Sequence, residues 1–117
     1  MTEEPSTPVG FLEMMRPYKG LREEVFADLL VAVRAVSEDI RSAEPLDRNL
    51  VSALWGICHF TRAWALAPDS MLRRNQLITA EDVDRLDTWI DGLSYAIAML
   101  LDGADDDIAF EPFDLDE

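Results

Sequence analysis

The stretch ITAEDVDRLDTWIDGLSYAIAMLLDG, residues 78–103, predicts one complete helix with both ends marked. Thr79 is a suitable N-cap, since its hydroxyl can accept a hydrogen bond from an amide of the first turn. Asp82 can complete a capping box by bonding back to the Thr79 amide. Gly103 is placed to end the helix in the left-handed conformation. Between these ends, apolar residues spaced three and four apart indicate one buried stripe: Val83, Leu86, Ile90, Leu93, Ile97 and Leu100.

Two further long helices are predicted before this one. The first covers residues 19–43 and ends before Pro45, because a residue that precedes proline is pushed out of the helical region. The second covers residues 47–66, with Asp47 as its N-cap, and is apolar around most of its circumference. Since such a helix is usually the most buried, we expect it at the centre, with Gly56 where another helix approaches closely. A short helix over residues 70–76, capped by Asp69 or Ser70, connects it to the last long helix.

These elements predict an all-α fold, an antiparallel helical bundle of three long helices plus one or two short helices. No stretch keeps up the alternation that is typical of strands. We expect residues 1–17 to form an N-terminal tail with a short docking segment, residues 18–103 the helical bundle, and residues 104–117 an acidic C-terminal tail. The tail either docks on the bundle or on a second copy, or stays free.

The net charge is −14 and is concentrated in the C-terminal third of the chain. From residue 79 onward there are thirteen acidic residues and one basic residue, Arg85. We therefore expect no nucleic-acid partner, because binding to phosphates requires a basic face, and no anionic membrane surface. No apolar run reaches the roughly 18 residues of a membrane span, and no signal segment is recognisable. These features predict a cytoplasmic protein.

The sequence contains no recognisable catalytic, cofactor or metal site, so we expect no enzyme activity. The single cysteine, Cys58, excludes a disulfide within the chain, and we expect it to be a small buried apolar residue. His59 is the single histidine, and we expect it to be partly buried and bonded to a backbone carbonyl. Core packing is the favoured expectation for each of the three tryptophans, and the alternative is that at least one is exposed as a contact anchor. Asp84, Asp87 and Asp91 share one helix face, which we interpret as solvated.

The function favoured by this pattern is that of a protein-interaction or regulatory module whose partner is another protein, plausibly a basic one. Its candidate interaction surface combines three acids of the last helix with two aromatic residues of the tail: Asp84, Asp87, Asp91, Phe110 and Phe113. One alternative is a small-ligand-binding or enzymatic bundle with a pocket formed by Trp55, His59 and Arg62. Another is a self-associating domain, because a homodimer would cover the apolar second helix.

Overall fold

The computed structural model describes residues 8–15, 18 and 20–114, and this part of the chain is all-α, as predicted. Its helices are α1 (Pro8–Glu13), α2 (Glu23–Ala35), α3 (Ser37–Ser42), α4 (Arg48–Thr61), a π-helical segment (Arg62–Leu66), α5 (Met71–Arg74), α6 (Ala80–Leu101), α7 (Asp106–Ala109) and α8 (Glu111–Asp114).

Two predictions about the ends of α6 are confirmed, the N-cap at Thr79 and the glycine turn at Gly103. The Thr79 hydroxyl accepts a hydrogen bond from the Asp82 amide at 3.1 Å. Gly103 has a φ of +94°, and the amides of Gly103 and Ala104 close a Schellman motif on the last turn. The Asp82 carboxylate accepts a hydrogen bond from the Tyr18 hydroxyl at 2.6 Å and so ties the N-terminal region to α6. Burial and this hydrogen bond raise the pKa of Tyr18.

The first predicted long helix is interrupted at Val36, between α2 and α3. The buried Ser37 hydroxyl donates a hydrogen bond to the Arg34 carbonyl and also bonds to Asp106 of the C-terminal segment. A serine hydroxyl competes with backbone amides for such carbonyls. The prediction of one uninterrupted helix is therefore wrong, although the apolar stripe continues through both halves.

The central element is α6, and the expectation that the second helix lies at the centre is wrong. α6 packs against α3, α4, the π-helical segment, α7 and α8. Its inward residues are inaccessible to solvent: Leu86, Ile90, Leu93, Ala96 and Leu100. α4 buries one face, including Leu54 and Ile57, and exposes the opposite face with Trp55 and Phe60.

Both terminal segments pack on the body. α1 lies against α2 and α4, where Phe11 and Met15 are completely buried. At the other end, Ala109 and Phe110 are completely buried, and α7 and α8 pack on α6. Residues 104–114 are thus part of the folded body, whereas residues 115–117 of the expected acidic tail lie outside the described residues.

Candidate functional site

One candidate site is an apolar groove of about 330 Å³ between α4 and α6, here called the α4/α6 groove. One wall comes from α4 and the residue that follows it: Val51, Leu54, Trp55, Cys58, His59 and Arg62. The other wall comes from the second half of α6: Ser94, Ile97, Ala98 and Leu101. Trp55 at 61% and Leu101 at 46% accessibility make the rim of the groove strongly apolar.

The polar end of the groove is organised by Arg62, the first residue of the π-helical segment. Its guanidinium donates a hydrogen bond to the Ser94 hydroxyl at 3.0 Å and pairs with the Asp91 carboxylate at 3.5 Å. Burial raises the pKa of the nearby Cys58 thiol, and the hydrogen bond with Ser94 and the Arg62 charge offset only part of this effect. Since the thiolate is the reactive form of cysteine, Cys58 is poorly suited to be a nucleophile.

The rim of the groove continues into a ladder of aromatic rings along the exposed face of α4. The His59 ring stacks on Trp55, with 4.4 Å between centroids and an interplanar angle of 11°. The His59 and Phe60 rings are in an edge-to-face arrangement with 5.0 Å between their centroids, and the Phe60 and Trp64 centroids are 5.3 Å apart. The partly buried position expected for His59 and the core position favoured for Trp55 are therefore wrong, since both side chains are exposed. Both side chains are exposed because no other helix covers α4 on this side in the described part of the chain.

The three residues of the predicted pocket, Trp55, His59 and Arg62, all lie on the wall of the α4/α6 groove. Sequence reasoning missed the opposite wall, Ser94, Ala98 and Leu101. These residues continue the spacing of the three acids on α6, so the sequence contains the signal, but the predicted interaction surface includes only the acidic half of this stripe.

The predicted interaction surface is only partly a surface. Asp84, Asp87 and Asp91, here called the acidic row, are exposed on α6. Phe110 is completely buried beneath the Arg34 guanidinium, which lies 4.2 Å from the ring centroid, so its assignment to an interaction surface is wrong. Phe113 is partly buried against Gly92 and Phe26. Both rings dock within the fold because the C-terminal segment closes over α6.

A second, more open hollow of about 690 Å³ lies between α2, α6 and α8. Phe26, Trp89 and Phe113 form part of its wall, and the Phe26 and Trp89 rings stack at 4.7 Å. The chain's own C-terminal segment supplies part of the lining through Pro112 and Phe113, so the hollow borders an internal docking site. The α4/α6 groove is therefore the better candidate for an external ligand.

Within the described residues, no group of three or more His, Cys, Asp or Glu side chains is placed to hold a metal ion. In the same part of the chain, no helix has the length and apolar character needed to cross a membrane. Comparison with protein-family models, curated proteins and solved structures gives no match for this chain.

Proposed function

We propose that this protein is an interaction module that binds another protein through the α4/α6 groove and its aromatic rim. Trp55 is the observation on which the proposal depends. A tryptophan that is 61% accessible, stacked on His59 at the edge of an apolar groove, offers a large and rigid contact surface. Tryptophan is over-represented among residues that dominate binding energy at interfaces.

The scaffold proposed for this role is an antiparallel helical bundle centred on α6. Cys58 and Arg62 both contact Ser94, and Arg62 also reaches back to Asp91. Residue numbers thus rise along α4 as they fall along α6, which supports opposite helix directions. The α4/α6 groove runs lengthwise between these two helices, so a further helix can enter it.

Retention of partners from a lysate of the native host tests the proposal when three forms of the immobilised protein are compared. Trp55→Ser should weaken binding of a stoichiometric partner about thirty-fold, which corresponds to about 2 kcal/mol for truncation of a hot-spot residue. Val31→Ser is the matched control, because Val31 on α2 is 66% accessible and does not line the groove. Equal retention by all three forms, or no stoichiometric partner at low salt, would contradict the proposal.

Self-association is a second candidate, favoured by the same exposed apolar rim. A homodimer through the α4/α6 groove would cover Trp55 and Leu101, but it would also bring two acidic rows together. Sedimentation velocity at micromolar concentration separates the candidates, since a pure monomer excludes a dimer that buries this rim.

A small ligand with an apolar body and one polar group is a third candidate, favoured by the apolar walls of the groove and its polar end at Arg62 and Ser94. The groove volume of about 330 Å³ lies at the lower end of the range for ligand pockets. A ligand that raises the Tm of the wild type, but not that of Ala98→Phe with its filled groove, would support this role.

A further inference from the structure

We infer that the segment bound in the α4/α6 groove is a basic amphipathic helix, with apolar side chains in the groove and lysines or arginines against the acidic row. This inference rests on the proposed function and specifies the chemistry of the partner. Three features of the structure support it: the helix face that the acidic row shares with the groove wall, the unpaired charge beside the groove, and the shape of the space between two helices.

The acidic row and the groove wall lie on one continuous stripe of α6. Asp84, Asp87, Asp91, Ser94, Ala98 and Leu101 follow alternating steps of three and four, which place them on the same face of a helix. All six are at least partly accessible to solvent. At 1.5 Å per residue the stripe is about 26 Å long. A bound helix of about 18 residues would span both its acidic and its apolar halves.

The acidic half of the stripe is largely uncompensated. Asp91 is paired with Arg62, and both side chains of that pair are substantially exposed. The Asp84 and Asp87 carboxylates make no ion pair with any other residue that the structure describes. A segment that follows the stripe out of the groove therefore meets negative charge, so cationic side chains are required there. A second copy is disfavoured because its own row and its net charge of −14 would repel the first.

The shape of the site favours a helix over an extended peptide. Two neighbouring helices present ridges and grooves of side chains into which a third helix packs, and amphipathic helices are bound in this way in apolar grooves. Extended peptides usually add to a sheet edge, and the described residues contain only an isolated bridge between Met15 and Tyr18.

Synthetic helical peptides of about 18 residues test the inference directly. They share one leucine face, and the polar residues at one end are lysine, glutamine or glutamate. A scrambled lysine peptide has the same composition but no apolar face. We expect the lysine peptide to bind the wild type at least ten-fold more tightly than the glutamine peptide, and this preference to shrink as salt rises. The glutamate and scrambled peptides should bind the most weakly.

Two triple variants then locate the charge effect. Asp84→Asn/Asp87→Asn/Asp91→Asn should weaken the lysine peptide about ten-fold and leave the glutamine peptide nearly unchanged. The control, Glu24→Gln/Asp28→Asn/Asp39→Asn, removes the same charge from exposed positions on α2 and α3. It should have a much smaller effect, because the acids that it removes do not lie on the α6 stripe.

The outcomes distinguish this inference from the proposed function. Equal binding of lysine and glutamine peptides, with both sensitive to Trp55→Ser, would overturn the basic partner while supporting the groove as a binding site. Strong binding of the scrambled peptide, or equal effects of the two triple variants, would reduce the attraction to net charge and overturn the inference. Failure of every peptide to bind the wild type would also overturn it, and loss of native partners on Trp55→Ser would then still support the proposed function.

Discussion

At the scale of single residues, the two glycines inside long helices have opposite environments. Gly56 on α4 was expected to mark a close approach of helices, but a Cβ added there would meet only the Phe60 ring, at 3.7 Å. Gly92 on α6 is the real point of close approach. A Cβ at this position would lie 2.7 Å from Cζ of Phe113. The C-terminal segment therefore rests on α6 because residue 92 has no side chain.

Alanine substitutions at these two glycines should change stability in opposite directions. Gly56→Ala should raise the free energy of unfolding by up to about 1 kcal/mol, since alanine favours the helix and meets no obstacle. Gly92→Ala gains the same helix preference but displaces Phe113, and overpacking costs about 1–3 kcal/mol. We expect a net loss of about 1 kcal/mol in urea unfolding. Combining Gly92→Ala with Phe113→Ala should remove the clash, so an additive loss in the double variant would contradict this explanation.

At the scale of elements, the C-terminal segment is held by a small polar cluster as well as by its two aromatic rings. The Arg41 guanidinium pairs with the Asp106 carboxylate at 3.0 Å, and the Ser37 hydroxyl bonds to the same carboxylate at 3.1 Å. Burial tends to raise the pKa of Asp106, but the bonds from Arg41 and Ser37 outweigh it and hold this pKa below its ordinary value. The cluster thus joins α7 to α3 while the carboxylate is ionised.

The docking of α7 and α8 should weaken in acid because of Asp106. An aspartate whose pKa is lowered on folding stabilises the fold above the ordinary value of about 3.9, and this contribution is lost as the pH falls through the lower, folded value. At neutral pH, Asp106→Asn should weaken docking by up to about 1 kcal/mol, the usual range for a partly exposed pair. The NMR shifts of the Phe110 and Phe113 rings report the docking.

The control for this prediction is Asp107→Asn, which removes the same charge from the next, exposed position. It should leave the ring shifts nearly unchanged at neutral pH. Wild type and Asp106→Asn should converge at a pH below the lowered pKa of Asp106, where the carboxylate is protonated. A difference between them that persists undiminished at that pH would show that the ionised carboxylate is not the source of the docking.

At the scale of the whole molecule, charge works against compactness. The net charge of −14 is concentrated on α6, the central helix, and on the segment that follows it. Few basic side chains offset it there: Arg41 pairs with Asp106, Arg62 with Asp91, and Arg85 with Glu23 at 3.8 Å. Self-repulsion of this kind opposes folding and is reduced by salt.

Salt should therefore stabilise the protein. Between about 0.01 M and 0.15 M ionic strength the screening length falls from about 30 Å to about 8 Å. We expect the Tm to rise by about 4 °C over this range, which corresponds to about 1 kcal/mol for a domain of this size. The Asp84→Asn/Asp87→Asn/Asp91→Asn variant should begin with a higher Tm and rise less. A Tm that falls with added NaCl would mean that the surface ion pairs outweigh the repulsion.

The sequence by itself determined the features that depend on neighbouring residues. The helical class, the caps at Asp47 and Thr79 and the glycine turn at Gly103 all follow from local hydrogen bonding and periodicity, and the structure contains each of them. The position of the acidic row on one face of α6 follows from the same periodicity. Such features need no information about distant parts of the chain.

Only the tertiary structure decided which helix faces remain exposed. At the break near Val36, Ser37 bonds not only to the neighbouring Arg34 carbonyl but also to Asp106, 69 residues away in the chain. α1 packs on α2 and α4 and the C-terminal segment packs on α6, and neither covers the Trp55 face of α4 beside Leu101. An apolar residue has the same helical pattern whether it faces a neighbouring helix or water, because periodicity specifies a face and the packing of the other elements determines what covers it.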